Sequence, residues 1–235
     1  MRTQPEQQAP PVQRLRIHYA KRGRLRFASH RDFSRAFERA VVRAQVPMAY
    51  SSGFNPHPRI SYAGAAPTGA ASEAEYLEIA LADTVEPSWV HERLAAVLPD
   101  GLDVVRVVES PGGALADRLQ ASRWRIELAA PYDATAAAVT ALLGEEAIIV
   151  ERMTKKGVRS FDCRAAVISL VARPDATGTV LEVVIRHTEP AVRPDDVLAG
   201  LARVAGLQAG PAPRLSRLEQ GLWDAATGEI ADPLG

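Results

Sequence analysis

Residues 25–59, LRFASHRDFSRAFERAVVRAQVPMAYSSGFNPHPR, carry the clearest structural signal in this 235-residue chain. Ser29 stands where a helix N-cap is wanted, and Asp32, three residues on, completes a capping-box pattern. Phe33, Ala36, Phe37, Ala40, Val41 and Ala44 then recur at the spacing of a helix with one buried face. Arg31, Arg35, Arg39 and Arg43 drift only about 40° per four-residue step, so they line up opposite that face. Pro47 ends the helix. The loop SSGFNPHP, residues 51–58, follows, and residues 59–63 read as a strand.

Leu15, Ile17 and Tyr19 alternate with polar residues upstream, and so do Leu25 and Phe27 beyond Gly23. That pattern predicts a strand, or a hairpin turning at residues 21–23. Residues 76–81 alternate as another strand. Residues 86–98 predict a helix with Pro87 in its first turn, and 102–108 a further strand. The order is β-α-β-β-α-β, the ferredoxin-like unit. A weaker second copy runs through strands at 124–128, 148–153, 163–171, 180–186 and 213–218, with helices at 134–143 and 194–204. The expected fold class is α+β: two tandem ferredoxin-like (βαββαβ) units with antiparallel sheets. Residues 1–12 are expected to be a disordered tail, 13–110 the first unit and 111–121 a linker punctuated by Pro111-Gly112-Gly113. Residues 122–221 form the second unit, and 222–235 a C-terminal tail.

Hydrophobic residues make up 47% of the chain, enough for an ordinary aliphatic core. The single Cys163 excludes an internal disulfide and any cysteine-based zinc or iron–sulfur site built by this chain alone, and it fits a reducing, cytoplasmic setting. The polar, Pro/Gln-rich start lacks the apolar run of a signal peptide, and no apolar stretch reaches membrane-spanning length. There is no Walker A loop, Rossmann glycine fingerprint, nucleophile elbow or zinc signature, so neither cofactor nor metal is expected.

The net charge of zero hides a segregation. Residues 12–70 hold 11 Lys/Arg against two acids, Asp32 and Glu38. Residues 71–150 hold five Arg against 14 acids. Either the two stretches neutralise each other inside the fold, or the basic one meets a polyanion. The arginine stripe is thus a phosphate-binding row, or a solvated face paired with Glu73, Glu75 and Glu78.

The loop at 51–58 is the second candidate. Gly53 permits a positive φ, and amides near Gly53 and Asn55 are placed to form an anion-binding nest. Pro56 and Pro58 stiffen the segment that bears His57. Phe54 either stacks on a base or plugs the core, and Asn55 either reads a base edge or phosphate or caps a turn. His30, at the first helical position, favours a bound phosphate and would be held neutral by the helix dipole. His30 and His57 are therefore candidate catalytic residues, an acid–base pair for RNA cleavage. A basic turn, Lys155-Lys156-Gly157-Val158-Arg159, flanked by Arg152 and Arg164, is a second patch that would clamp nucleic acid from the other half. The small-residue loop Gly64 to Gly69 is a weaker phosphate-loop candidate.

FASHRD at 27–32, YSSGFNPHPR at 50–59, and TKKGVR at 154–159 running on to Asp162-Cys163-Arg164 resemble the radical-SAM-linked protein family. The resemblance covers about residues 12–220 and is most specific over the first 60 of those. It implies bacterial origin. In that family the domain is fused behind a radical-SAM domain, or stands alone and is often encoded near an RNase E/G-type ribonuclease. A radical-SAM protein or such a ribonuclease is the implied partner. This chain has no Cys-x3-Cys-x2-Cys run, so it cannot hold the radical-SAM cluster itself.

The function expected is an RNA-binding module that recognises phosphate backbone and acts in RNA processing or modification with a partner enzyme. The anion-binding set is His30, Arg31, Arg35, Arg39, Gly53, Phe54, Asn55, His57, Arg59, Lys155, Lys156 and Arg159. The alternatives are an RNA endonuclease or RNA-modifying enzyme using His30 and His57, and a protein adaptor.

Overall fold

The computed structural model describes residues 7–154, 157–176 and 178–235. They make a mixed α+β fold with mostly antiparallel sheet and, among the described residues, four α-helices. The chain divides into two compact units, residues 1–118 with 232–235, and residues 119–231.

In the first unit, β1 (Gln13–Lys21) leads through a 3-10 turn, Gly23–Phe27, to α1 (His30–Arg43). Strands β2 (Ile60–Ala63) and β3 (Ala71–Leu81), helix α2 (Pro87–Ala95) and strand β4 (Leu102–Glu109) follow. The sheet order is β4-β1-β3-β2, with Ile17 opposite Leu77 and Val107, and Ile60 opposite Ile79. Leu15, Ile17 and Tyr19 of β1 and Leu77, Ile79 and Leu81 of β3 face the two helices. Phe33, Phe37 and Val41 of α1 and Val90 and Leu94 of α2 close that core. Residues 23–27, predicted to return as a strand, turn instead: Gly23 takes φ +56° and the Ala28 amide donates to the Leu25 carbonyl at 2.9 Å. No partner strand is in register there, so alternation at Leu25 and Phe27 has no ladder to join.

The α1 boundaries follow from local chemistry. The Ser29 hydroxyl accepts from the Asp32 amide at 3.2 Å and donates to the Asp32 carboxylate at 2.7 Å. At the other end Gln45 adopts φ +56°, its amide donates to Val42 and the Val46 amide reaches back to Val41. This is a Schellman closure made without glycine.

In the second unit, β5 (Ala121–Leu128) is followed by α3 (Tyr132–Gly144) and a separate two-stranded hairpin, β6 (Ile149–Thr154) and β7 (Gly157–Asp162). Strands β8 (Val167–Asp175) and β9 (Gly178–Arg186), helix α4 (Pro194–Ala205) and strands β10 (Arg214–Asp224) and β11 (Glu229–Ala231) complete it. Neighbours pair as β10-β5-β9-β8, with β11 on β10. The strand expected at 148–153 therefore leaves the main sheet, and β8 takes that edge place. The expected C-terminal tail is also structured: β10 continues to Asp224 and pairs with β11, while Leu234 is buried in the first unit. The Asp232 carboxylate there meets Arg106 at 2.5 Å. Of the expected N-terminal tail, residues 1–6 lie outside the described residues, and the Gln8 amide bonds Ser52 Oγ at 3.0 Å.

Candidate nucleic-acid interface

The first unit settles how its basic residues are used. Arg14 and Arg16 of β1 meet Glu78 at 3.1 and 3.3 Å. Arg22 meets Glu73, and Asp103 at 2.7 Å. Glu75 accepts the Ala66 amide. So the acids of β3 are engaged by the strand, its adjoining turn and the loop after β2. They do not reach the α1 stripe. Among the described residues Arg31, Arg35, Arg39 and Arg43 form no ion pair, and all four are exposed. Neutralisation is thus realised around β1, while the α1 row pairs with none of the acids of β3.

That row faces a groove. A hollow of about 600 Å³ is lined by Arg35, Glu38, Arg39, Val42, Arg43, Tyr50 and Pro58. Its far wall is the base of the 51–58 loop, where Tyr50 and Pro58 form a lone antiparallel bridge. Sheet register brings the loop there: the Ala49 amide bonds Ala80 at 2.8 Å, and the Ala80 amide bonds the Arg59 carbonyl at 3.0 Å. The Arg59 side chain bonds the Tyr50 carbonyl at 3.0 Å, so it braces the loop. Ser51 clamps the neck. Its amide donates to the His57 carbonyl at 2.9 Å and its hydroxyl accepts from the His57 amide at 3.0 Å.

Beyond the clamp, residues 52–56 form an exposed tip. Gly53 sits at φ +126°, a conformation L side chains rarely adopt. Phe54 is 66% exposed, so it does not plug the core. Asn55 and His57 are exposed as well. Among the described residues the amides of Gly53, Phe54 and Asn55 make no hydrogen bond, which leaves them available to an anion.

His30 and His57 are held by different elements, the start of α1 and the 51–58 loop. His30 packs edge-on against Tyr62 at 5.0 Å and lies 3.3 Å from Ser34 Oγ through Nδ1. The His57 backbone is held instead by Ser51 at the neck of the 51–58 loop. Burial pushes the Tyr62 hydroxyl up to about 12, so it stays neutral. Arg31 stands in the first turn of α1, outside the groove lining.

The remaining candidates fare differently. In the second unit Arg152 is committed to Asp196 at 2.5 Å and to the Ala191 carbonyl at 3.0 Å, and stacks over Phe161. Arg164 bonds the carbonyls of Val167 and Leu143. Both flanking arginines are therefore structural, while Arg159 on β7 is exposed. Lys155 and Lys156 lie outside the described residues. The amides of Ala66, Gly69 and Ala70 are bonded within the first unit, so the 64–69 loop offers no such amide cradle. Among the described residues no group of three or more His, Cys, Asp or Glu is placed to hold a metal, and no helix is long and apolar enough to cross a membrane.

Glu38, Tyr50 and Pro58 were not among the predicted site residues, and Arg43 belongs to the predicted stripe but not to the predicted anion-binding set. Arg43 continues the four-residue spacing and was legible on that ground. Tyr50 and Pro58 enter the site only through sheet register, which no local pattern encodes.

The chain belongs to the family described as uncharacterized protein conserved in bacteria (DUF2344), whose model matches residues 14–194. No curated protein matches. A solved structure of a Cbf5-Nop10-Gar1 complex contains a chain similar at TM-score 0.48 and 10% identity, over 92% of this chain and 55% of that one. This chain thus spans about half the length of that structural neighbour.

Proposed function

We propose that this protein is an RNA-binding module that grips phosphate backbone in the α1 groove. One observation carries the proposal: Arg35, Arg39 and Arg43 align along a groove that holds one acid, Glu38, while Glu73, Glu75 and Glu78 are engaged elsewhere. Planar guanidinium groups suit phosphate oxygens, and an exposed row costs little to keep unpaired until a polyanion arrives. Exposed amides and Phe54 on the adjoining loop tip add contacts of the kind single-stranded RNA uses.

Each unit is best described as ferredoxin-like. The order β4-β1-β3-β2 in the first is matched by β10-β5-β9-β8 in the second, with the β6-β7 hairpin inserted. The motif resemblance supports a radical-SAM protein or an RNase E/G-type ribonuclease as the partner enzyme. A cytoplasmic setting fits the buried Cys163, whose thiol burial pushes up to about 11, well clear of reactive thiolates. A cleavage role for His30 and His57 has less support, since the two sit on different elements and no bond between their rings is seen among the described residues.

The test is a salt titration of RNA binding by the wild-type chain and by the combined Arg35→Glu, Arg39→Glu, Arg43→Glu variant. Binding by the wild type must weaken steeply with salt, and the variant must lose it. A flat salt response, or no RNA bound at low salt, defeats the proposal.

A further inference from the structure

We infer that the groove takes a single nucleic-acid strand, one phosphate to each of Arg35, Arg39 and Arg43, with Phe54 stacked on an unpaired base. This rests on the phosphate-binding proposal above and names the form of ligand that fits. Successive arginines four residues apart on a helix are about 6 Å apart along its axis. That interval is close to the phosphate repeat along one strand, so the row can follow a backbone without skipping charges. A duplex carries its phosphates on two strands and hides the faces of its bases.

Phe54 supplies the second, independent argument. It is a large apolar ring, 66% exposed, at the tip of a loop whose two ends, Tyr50 and Pro58, form the groove wall. The Ser51–His57 clamp holds that tip out from the core. Stacking on a base uses such a ring without demanding a particular base, because every base has a π-face.

Glu38 supplies the third. It places one carboxylate in a groove whose other charges are the three arginines. Inorganic polyphosphate has no donor to offer it and is repelled. A nucleic-acid strand has base amino groups and, in RNA, 2′-hydroxyls. The groove is therefore built to hold a backbone that carries hydrogen-bond donors beside its charges.

The experiment is a competition assay with the full chain. A fluorescent single-stranded RNA of about 12 nucleotides is displaced by the unlabelled strand, by the same strand annealed to its complement, or by inorganic polyphosphate of equal phosphate number. The single strand is expected to compete at least about tenfold better than either rival. Phe54→Ala is expected to weaken single-strand binding about tenfold, within the range stacking one base supplies, and to leave polyphosphate binding unchanged. Phe54 is exposed, so this variant retains the fold, which circular dichroism verifies.

Equal competition by the duplex, or a Phe54→Ala variant that binds like wild type, overturns the inference. If Arg35→Glu still weakens binding in that case, the phosphate-binding proposal stands without it. If none of the three polyanions is bound at low salt, both fall.

Discussion

Arg35→Ala isolates one charge of the row. Arg35 borders the groove beside Tyr50 and Pro58, and Arg39 and Arg43 also line a neighbouring hollow of about 350 Å³ with Val97 and Pro99. It is exposed, lies opposite the buried Phe33–Phe37 face and forms no ion pair among the described residues. Its removal should therefore shift stability by no more than about 0.5 kcal/mol. The effect on binding is larger and has a definite form. With one phosphate on each of Arg35, Arg39 and Arg43, the log–log dependence of affinity on salt has a slope of about −2.1, at about −0.7 per contact on a single strand. Arg35→Ala reduces it to about −1.4. Raising salt fourfold, from about 50 to about 200 mM, then weakens the wild type about 18-fold and the variant about sevenfold. Fluorescence anisotropy at several salt concentrations measures both slopes. Arg35→Lys restores the slope but not the full affinity, because it keeps the charge and loses the planar fork. If Arg35→Ala binds with an unchanged slope, Arg35 contacts no phosphate and the row is a solvated helix face.

Gly53→Ala places a side chain at φ +126°, with strain of about 1–3 kcal/mol, so exchange of the Ser51 and His57 clamp amides should rise and RNA binding should weaken while the melting temperature barely moves. Arg16 is fully buried and bonds Glu78 and the Gly112 and Gly113 carbonyls, so Arg16→Ala should cost roughly 3–5 kcal/mol by denaturant unfolding; a cost under about 1 kcal/mol would show the network to be dispensable. His18 is held below its ordinary 6.5 by burial, although its Nε2 bonds the Glu73 carbonyl at 2.6 Å and Asp232 favours its charged form, with Arg106 opposing. The neutral ring is the one the fold prefers, so its contribution is present above pH 6.5 and lost as pH falls below it. Melting temperature should drop with pH in that window, and His18→Gln should flatten the drop; an identical profile in the variant refutes this.

Short-range physics made α1 legible before any coordinates. Ser29 and Asp32 meet within one turn, and Phe33, Phe37, Ala40 and Val41 share a face by helix geometry alone. The same geometry aligned Arg31, Arg35, Arg39 and Arg43, so half of the candidate site was already visible. The alternation of β1 and β3 was legible for the same reason, since each strand has one face on the helix core. Local patterns also misled. Leu25 and Phe27 alternate like a strand but sit in a 3-10 turn, and the residues after Gly221 look like a tail but pair as β10 and β11.

Whether the arginines were free was a long-range question. Glu73 and Glu78 lie closer in sequence to α1 than to β1 or the turn after it. The pairing of β1 with β3 puts Arg16 directly opposite Glu78, and the turn after β1 brings Arg22 to Glu73. The stripe is left without those partners as a result. Likewise it is pairing with the end of β3, through the bonds of Ala49 and Arg59 to Ala80, that places Tyr50 and Pro58. Periodicity names which side chains share a face; strand pairing between distant residues selects which charges cancel and which remain for a ligand.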